Sequence, residues 1–255
     1  MDRCAVLARR LRGAAFPPRA NVAPSSRRRR SSVQTAPRPA AQSSPGGPKV
    51  CAMTTPVLQI LIASTRPGRV GPSVAAWIHE RALAHGGFTV ELIDLAEVNL
   101  PMFDEPKHPR LREYTHQHTK DWSATISRAD AFIFVIPEYN YGFNAAIKNA
   151  IDYLNHEWKY KPVGLASYGG VGAGTRAAQM LKQVLTTLRM VPLFEAVSIP
   201  FVQQFLDADR RLQPNEIMET AATAMLDELV RTSVALRALR EPAERGHPAV
   251  AGTNS

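Results

Sequence analysis

The sequence of 255 residues contains only two cysteines, Cys4 and Cys51. Two cysteines cannot build a disulfide framework or a four-cysteine zinc site. The sequence also lacks a long apolar run, because no stretch approaches the roughly 20 residues that a membrane-spanning helix needs. These absences argue against a disulfide-stapled domain and against a helical membrane protein, so we expect no membrane partner.

Acidic residues are scarce at the start of the chain. Residues 1–53 hold one acidic residue, Asp2, against eleven basic ones, which include the run Arg27–Arg30. The whole chain has a net charge of +9, yet residues 54–255 hold 20 basic and 21 acidic residues. This larger part has no basic excess of the kind that nucleic-acid binding needs, and we expect no nucleic-acid partner.

Residues 1–53 are also short of aromatic residues, with Phe16 as the single example. A segment of this composition cannot bury enough apolar surface to offset the entropy cost of ordering, so we predict a disordered tail, as for residues 241–255. Three interpretations of the first tail stay open: an organellar transit peptide, a functional basic patch, or a translated upstream stretch with Met53 as the true start. We expect a cytoplasmic protein, or an organellar one if residues 1–52 are a transit peptide.

Apolar strands alternate with amphipathic helices between residues 54 and 240. The predicted strands cover residues 57–63, 88–94, 131–136, 162–168 and 191–199, and the predicted helices cover residues 72–85, about 114–129, 144–154, 175–189 and 215–239. The central strands are apolar from end to end, which is typical of strands that are buried on both faces. The pattern predicts one α/β domain, with a doubly wound parallel sheet and helices on both faces.

In such sheets, ligands bind beyond the carboxyl ends of the strands, and the loop after the first strand has suitable chemistry there. Its sequence, STRPGRVGPS over residues 64–73, places hydroxyl and guanidinium groups at the start of a helix. These groups suit a phosphate dianion, although a turn with solvated arginines is the alternative. The loop is neither a Walker A sequence nor the GxGxxG turn of dinucleotide-binding folds.

Two further loops suit a flat heterocycle. Residues 137–144, PEYNYGFN, place two tyrosines and a phenylalanine after the third strand, where they can contact a planar ring or cover an oligomer interface. Residues 167–174, SYGGVGAG, hold four glycines, which let the backbone approach a ligand or merely form a flexible turn. A phosphate at the first loop and a planar ring beside the other two together indicate FMN.

These segments, with KNAIDYL over residues 148–154 and TRAAQML over residues 175–181, resemble the NAD(P)H-dependent FMN reductases of the flavodoxin-like fold. That family includes chromate, quinone and azo-dye reductases, and the resemblance covers residues 56–205. It implies a five-stranded sheet of order 2-1-3-4-5, FMN as cofactor, NADPH or NADH as co-substrate, and a homodimer or homotetramer. The residues that it implies for FMN binding are Ser64, Arg66, Ser73, Pro137, Glu138, Tyr139, Asn140, Ser167, Gly169 and Gly170.

The resemblance implies a reductase that passes a hydride from NAD(P)H to FMN and then electrons to a small-molecule acceptor, such as free flavin or a quinone. The cofactor carries this chemistry, so we expect neither a catalytic acid or base nor a metal. A quinone, azo-dye or chromate reductase would use the same site. A flavodoxin-like electron carrier is less well supported, because Arg66 and Arg69 lie in the phosphate loop of a nearly neutral domain. His116 and His118, two positions apart on a predicted helix, should face different directions.

Overall fold

The computed structural model of the protein describes residues 55–240. The disordered tails predicted for residues 1–53 and 241–255, and the three interpretations of the first tail, lie outside the described residues. No helix within the described part combines the length and the hydropathy that crossing a bilayer requires.

Five strands form a single parallel sheet of order β2-β1-β3-β4-β5, which confirms the predicted topology. The strands are β1 Val57–Ile62, β2 Thr89–Asp94, β3 Ala131–Pro137, β4 Pro162–Tyr168 and β5 Val191–Ile199. All seven residues of β3 and all seven of β4 are buried, as their unbroken apolar sequences predict. The edge strands are less buried, with one fully buried residue of six in β2 and three of nine in β5.

Helices connect the strands and cover both faces of the sheet. They are α1 Gly71–His85, α2 Leu95–Val98, α3 Gln117–Ser127, α4 Ala145–Asp152, α5 Thr175–Thr187 and α6 Glu216–Arg240, with short 3₁₀ turns at Pro109–Leu111, His156–Trp158 and Val202–Phe205. The helix α2 was not predicted from the sequence. It is a single turn that the Asp94 carboxylate caps by accepting a hydrogen bond from the N–H of Ala96.

An apolar core lies on each face of the sheet. On one face, α1 and α6 pack against the strands through side chains such as Ile78 and Leu229. On the other face, α3, α4 and α5 contribute Trp122, Ile147 and Leu185. Each such side chain stabilises the fold by about 1.5–3 kcal/mol through burial alone, before the entropy cost of ordering. The two cores fix the positions of the strands, and therefore the points at which the loops leave the carboxyl edge of the sheet.

Candidate active site

A cavity of about 370 Å³ opens at the carboxyl edge of the sheet, between the loops that follow β1, β3, β4 and β5. Six residues predicted for the site line it: Arg66, Pro137, Glu138, Tyr139, Gly169 and Gly170. A larger cavity of about 690 Å³ lies elsewhere, between residues 103–110, α4 and α5. The three predicted loops meet at the smaller cavity, which makes it the candidate site.

The β1–α1 loop presents its charged groups to the cavity and hides its first hydroxyl. Arg66 is exposed at the cavity border. Ser64 is fully buried, and its Oγ accepts a hydrogen bond of 3.1 Å from the hydroxyl of Tyr168. Only glycine fits at position 71, because a Cβ there would lie 2.3 Å from the Ser64 Oγ. The loop is therefore closely packed beneath an accessible guanidinium group.

Two more arginines hold this loop in place. Arg69 forms an ion pair with Asp94 at the end of β2. Arg210, in the segment between β5 and α6, donates from its Nη2 to the carbonyl oxygens of Gly68 and Arg69 at 3.2 and 3.3 Å. Both contacts connect the loop to neighbouring segments. Arg66 and Arg69 both line the cavity, but the charge of Arg69 is paired with Asp94.

The loop after β3 forms a tight two-residue turn. The N–H groups of Tyr139 and Gly142 each donate to the carbonyl oxygen of the other at 2.9 Å. Asn140 and Tyr141, at the tip, have positive φ angles of 50° and 70°. Positive φ at both central positions is the pattern of a type I′ turn, which usually has Asn or Gly there. Tyr139, at the base of the turn, lines the cavity.

The carboxylate of Glu138 is engaged with α5. Its side chain is 7% exposed, it forms an ion pair with Arg176, and it accepts a hydrogen bond from the Arg176 N–H at 3.2 Å. The Arg176 guanidinium holds the pKa of Glu138 below its ordinary value, against the opposing effect of burial. Gly174, the residue before α5, has no side chain with which to cap the helix, and Glu138 supplies the acceptor from another loop.

The glycine-rich loop after β4 approaches the cavity with its backbone. Gly170 is exposed, and nothing lies within 4 Å of the position that a Cβ would take, so there is room for a flat ligand. Ser167 is buried at the end of β4, and its Oγ donates to the carbonyl oxygen of Ala173 at 2.9 Å. Gly174 has a φ of 77°, and a Cβ there would lie 2.7 Å from the backbone nitrogen of Tyr168. Glycine is needed there to close the loop.

A fourth loop, which the sequence did not indicate, completes the cavity. After β5, the N–H of Phe201 donates to the carbonyl oxygen of Gly170 at 3.1 Å, and the N–H of Val202 donates to that of Gly169 at 3.2 Å. The Phe201 ring is 48% exposed at the cavity border. The available signal was an aromatic residue just beyond the carboxyl end of a strand, the same feature that identified the loop after β3.

Four of the ten predicted residues do not line the cavity. Ser64 and Ser167 are buried and bonded inside the protein, as described above. Ser73 is half-buried within the first turn of α1, and Asn140 is exposed at the tip of the β3–α4 turn. Their contacts with a ligand stay predictions.

Comparison with known proteins bears on the chemistry of this cavity. The sequence model of the family described as NADPH-dependent FMN reductase matches residues 56–204, which span all the cavity loops. The chain belongs to this family. Membership confirms FMN as the cofactor, NAD(P)H as the co-substrate and flavin-dependent oxidoreduction as the chemistry.

Individual relatives of this FMN reductase family member carry related names. An NAD(P)H-dependent FMN reductase from Schizosaccharomyces pombe is 41% identical over 150 residues, which cover 57% of this chain and 74% of the relative. An FMN-dependent NADPH-azoreductase from Staphylococcus aureus is 28% identical, with coverage of 51% and 69%. The solved structure of FerB, a flavoenzyme NAD(P)H:(acceptor) oxidoreductase from Paracoccus denitrificans, has the same fold, with a TM-score of 0.57 at 21% identity, covering 71% of this chain and 98% of FerB.

The histidine pair of this reductase is arranged differently from the sequence expectation, which is wrong on this point. The rings of His116 and His118 stack with their centroids 5.1 Å apart, and both approach Asp104. The physical reason is that α3 begins at Gln117, so His116 precedes the helix in an extended conformation. Within residues 55–240, no group of three or more His, Cys, Asp or Glu side chains could hold a metal ion.

Proposed function

We propose that the cavity at the carboxyl edge binds FMN, and that the protein reduces a small planar acceptor with electrons from NAD(P)H. One observation carries the proposal: the fold brings the exposed cation of Arg66, the aromatic ring of Tyr139 and the open backbone at Gly170 around one cavity. These groups match, in order, the phosphate, the flat ring and the polar ring edge of FMN.

In this proposal, the residues of the chain bind FMN and orient it. When bound, FMN supplies the redox chemistry, accepting a hydride from NAD(P)H and passing electrons to a second substrate. Arg66 offers two N–H donors to the phosphate, and the contacts of Arg69 and Arg210 keep its loop in position. Glu138 is bonded to α5 and is not placed to transfer a proton to a substrate.

The acceptor that we favour is free flavin, with a quinone or an azo dye as the second candidate. Tyr139 and Phe201, both partly exposed at the mouth of the cavity, offer flat apolar faces to an aromatic acceptor. All of these acceptors have a flat conjugated face, and the azo-dye alternative is supported by the azoreductases among the relatives. The expected cytoplasmic location stays a prediction, which cell fractionation would test.

The first experiment is an absorbance spectrum of the purified full-length chain with FMN, before and after NADPH is added without oxygen. We expect flavin bands that bleach within seconds, and reoxidation when an excess of the acceptor is added. Comparison of FMN, a quinone and an azo dye then identifies the acceptor. Bands that remain after NADPH is added would favour an electron carrier, and the absence of any FMN binding would refute the proposal.

The phosphate site is tested by comparing FMN with riboflavin, which lacks the phosphate. Arg66→Ala should weaken FMN binding about tenfold, the equivalent of about 1.4 kcal/mol for a charge-assisted contact. Riboflavin binding should change less than about twofold, because riboflavin has no phosphate to contact in either the wild type or the variant. The matched control is Arg231→Ala, an exposed arginine on α6 far along the chain from the loop. Equal losses for both ligands would contradict a phosphate role for Arg66.

A further inference from the structure

The turn at the tip of the β3–α4 loop has an unusual backbone for its sequence. Asn140 and Tyr141 both have positive φ angles, of 50° and 70°. Asparagine adopts this region more readily than most residues, whereas a bulky aromatic residue rarely does. A conformation of this kind persists only where the surrounding structure holds it.

The ring of Tyr141 contacts the guanidinium group of Arg176. The ring is 66% exposed, and the Arg176 Cζ lies 3.8 Å from its centroid, which is the distance of a direct cation–π stack. Gly172 also lies close to the guanidinium group, because a Cβ there would come within 2.3 Å of the Arg176 Nη2. The planar group therefore contacts an aromatic ring of one loop and lies near a glycine of the other.

The same guanidinium is bonded to the base of the turn. The guanidinium Nη2 pairs with the Glu138 carboxylate, and the backbone N–H of Arg176 also donates to that carboxylate. Arg176 thus contacts the β3–α4 loop at its base, Glu138, and at its tip, Tyr141, while it lies in the first turn of α5, after the glycine-rich loop. It does not line the cavity itself.

We propose that Arg176 is a positioning residue, which holds the Tyr139–Gly142 turn in its left-handed conformation through the stack on Tyr141 and so presents the turn to the flavin. The proposal rests on FMN binding in the adjacent cavity. It separates two contacts of one side chain: the ion pair with Glu138 keeps α5 and the loop together, and the stack sets the conformation of the turn.

The test uses variants of the full-length chain and FMN titrated by quenching of flavin fluorescence. Arg176→Lys keeps the charge for Glu138 but removes the planar face, and we expect the Kd for FMN to rise about tenfold, within the range that one left-handed non-glycine residue can cost. In Tyr141→Gly, the glycine adopts positive φ readily without the stack on Arg176, so the Kd for FMN should stay within about threefold of wild type. In the double variant, the effect of Arg176→Lys should disappear.

A control variant and a second variant at position 141 distinguish loss of the stack from a general loss of an Arg–Tyr contact. Arg189→Lys changes another Arg–Tyr contact, with Tyr160 at the amino edge of the sheet, and should leave the Kd unchanged. Tyr141→Leu, at an exposed position, still requires a non-glycine residue to adopt positive φ but lacks the ring that stacks on Arg176. It should weaken FMN binding as Arg176→Lys does. The melting temperature of each apo-protein shows that the variants fold.

Three results would overturn the inference. These are an Arg176→Lys Kd within twofold of wild type, an Arg176→Lys effect that persists in the Tyr141→Gly background, and equal binding by Tyr141→Leu and Tyr141→Gly. Wild-type protein that does not bind FMN would instead overturn the proposed function, and the inference with it.

Discussion

The hydroxyl of Tyr168 illustrates how single residues shape the carboxyl edge of the sheet. It is buried at the end of β4, and burial raises its pKa to about 12. The phenol therefore stays protonated and donates to the Ser64 Oγ at every working pH. Ser64 was predicted to contact phosphate, which stays a prediction; in the structure its hydroxyl connects the segment after β1 to β4.

Tyr168→Phe should lower the free energy of unfolding by about 1 kcal/mol, because the buried Ser64 Oγ loses its donor. The measurement is equilibrium unfolding in urea at pH 7. Tyr160→Phe is the matched control, since its hydroxyl accepts from Arg189 at an exposed position and its loss should cost less than about 0.5 kcal/mol. Equal costs for the two variants would argue against a structural role for the Tyr168–Ser64 hydrogen bond.

At the scale of elements, α5 depends on a carboxylate from another loop. Glu138 accepts hydrogen bonds at the start of this helix, and its pKa lies below the ordinary value, first because Arg176 pairs with it. A carboxyl group whose pKa is lowered in the folded state adds stability above its unfolded pKa, about 4.3 for Glu. That stability is lost as the pH falls through the folded pKa.

Glu138→Gln should therefore cost about 1 kcal/mol at pH 7, where screening at the 41%-exposed Arg176 moderates the loss. Urea unfolding repeated between pH 7 and pH 3 should show the difference from wild type shrinking on acidification below about pH 4.3. Glu113→Gln, in an exposed pair with Lys107, serves as the control and should barely alter stability. A difference for Glu138→Gln that does not change with pH would contradict the linkage.

The end of α3 is capped by a buried lysine. Lys161 is 6% exposed, and its Nζ donates to the carbonyl oxygens of Ile126 and Ser127 at 2.8 and 3.2 Å. Burial, and then the charge of Arg240, lower the pKa of Lys161 to about 7. An unfolded lysine keeps its proton up to about pH 10.4, so between these values the unfolded state holds one proton more than the folded state. Folding stability therefore rises with pH across this range.

Comparison of wild type with Lys161→Met isolates this effect. Between pH 7.5 and 9.5, wild type should gain stability relative to the variant by on the order of 1 kcal/mol per pH unit. Chemical unfolding at several pH values measures the slope of stability against pH. The control is Lys120→Met, an exposed position on α3, which should give the slope of wild type. Parallel pH profiles for wild type and Lys161→Met would show that Lys161 stays charged in the folded protein.

At the scale of the whole molecule, one face carries exposed apolar side chains on the long connection between α2 and α3. Met102, Phe103 and Leu111 are all exposed there, and Phe103 also lines the cavity of about 690 Å³. Isolated apolar residues are normal on a surface, whereas several on one segment are typical of a contact between proteins. We predict that these residues form the contact of the homodimer or homotetramer that the family resemblance implies, and this assembly stays a prediction.

We expect the double variant Met102→Asp/Leu111→Asp to shift the protein to monomers, because a buried carboxylate in an apolar contact is costly. Size-exclusion chromatography with light scattering gives the molar mass. Leu83→Asp, on α1 at the opposite face of the sheet, is the control and should keep the wild-type mass. A wild-type monomer, or an oligomer that persists in the double variant, would refute this contact surface.

The sequence by itself determined the five strands and the five longer helices, the sheet order once the family was recognised, and three of the four loops of the site. Strands such as β3 and β4 are apolar throughout, and helices such as α5 keep one apolar face, so local periodicity was sufficient. Because parallel strands end at one edge, the sequence also placed Arg66, Tyr139 and Gly170 near one another.

Only the tertiary structure decided which side chains face the cavity and which face the protein. Ser64 and Ser167 turn inward to Tyr168 and Ala173, and Arg176 reaches back to Glu138 and Tyr141 over about 35 positions of sequence. The loop with Phe201 joins the site for the same reason, through backbone bonds to the glycine-rich loop. The physical reason is that hydrogen bonds and ring contacts depend on directions and distances between distant segments, whereas periodicity reports only on neighbours along the chain.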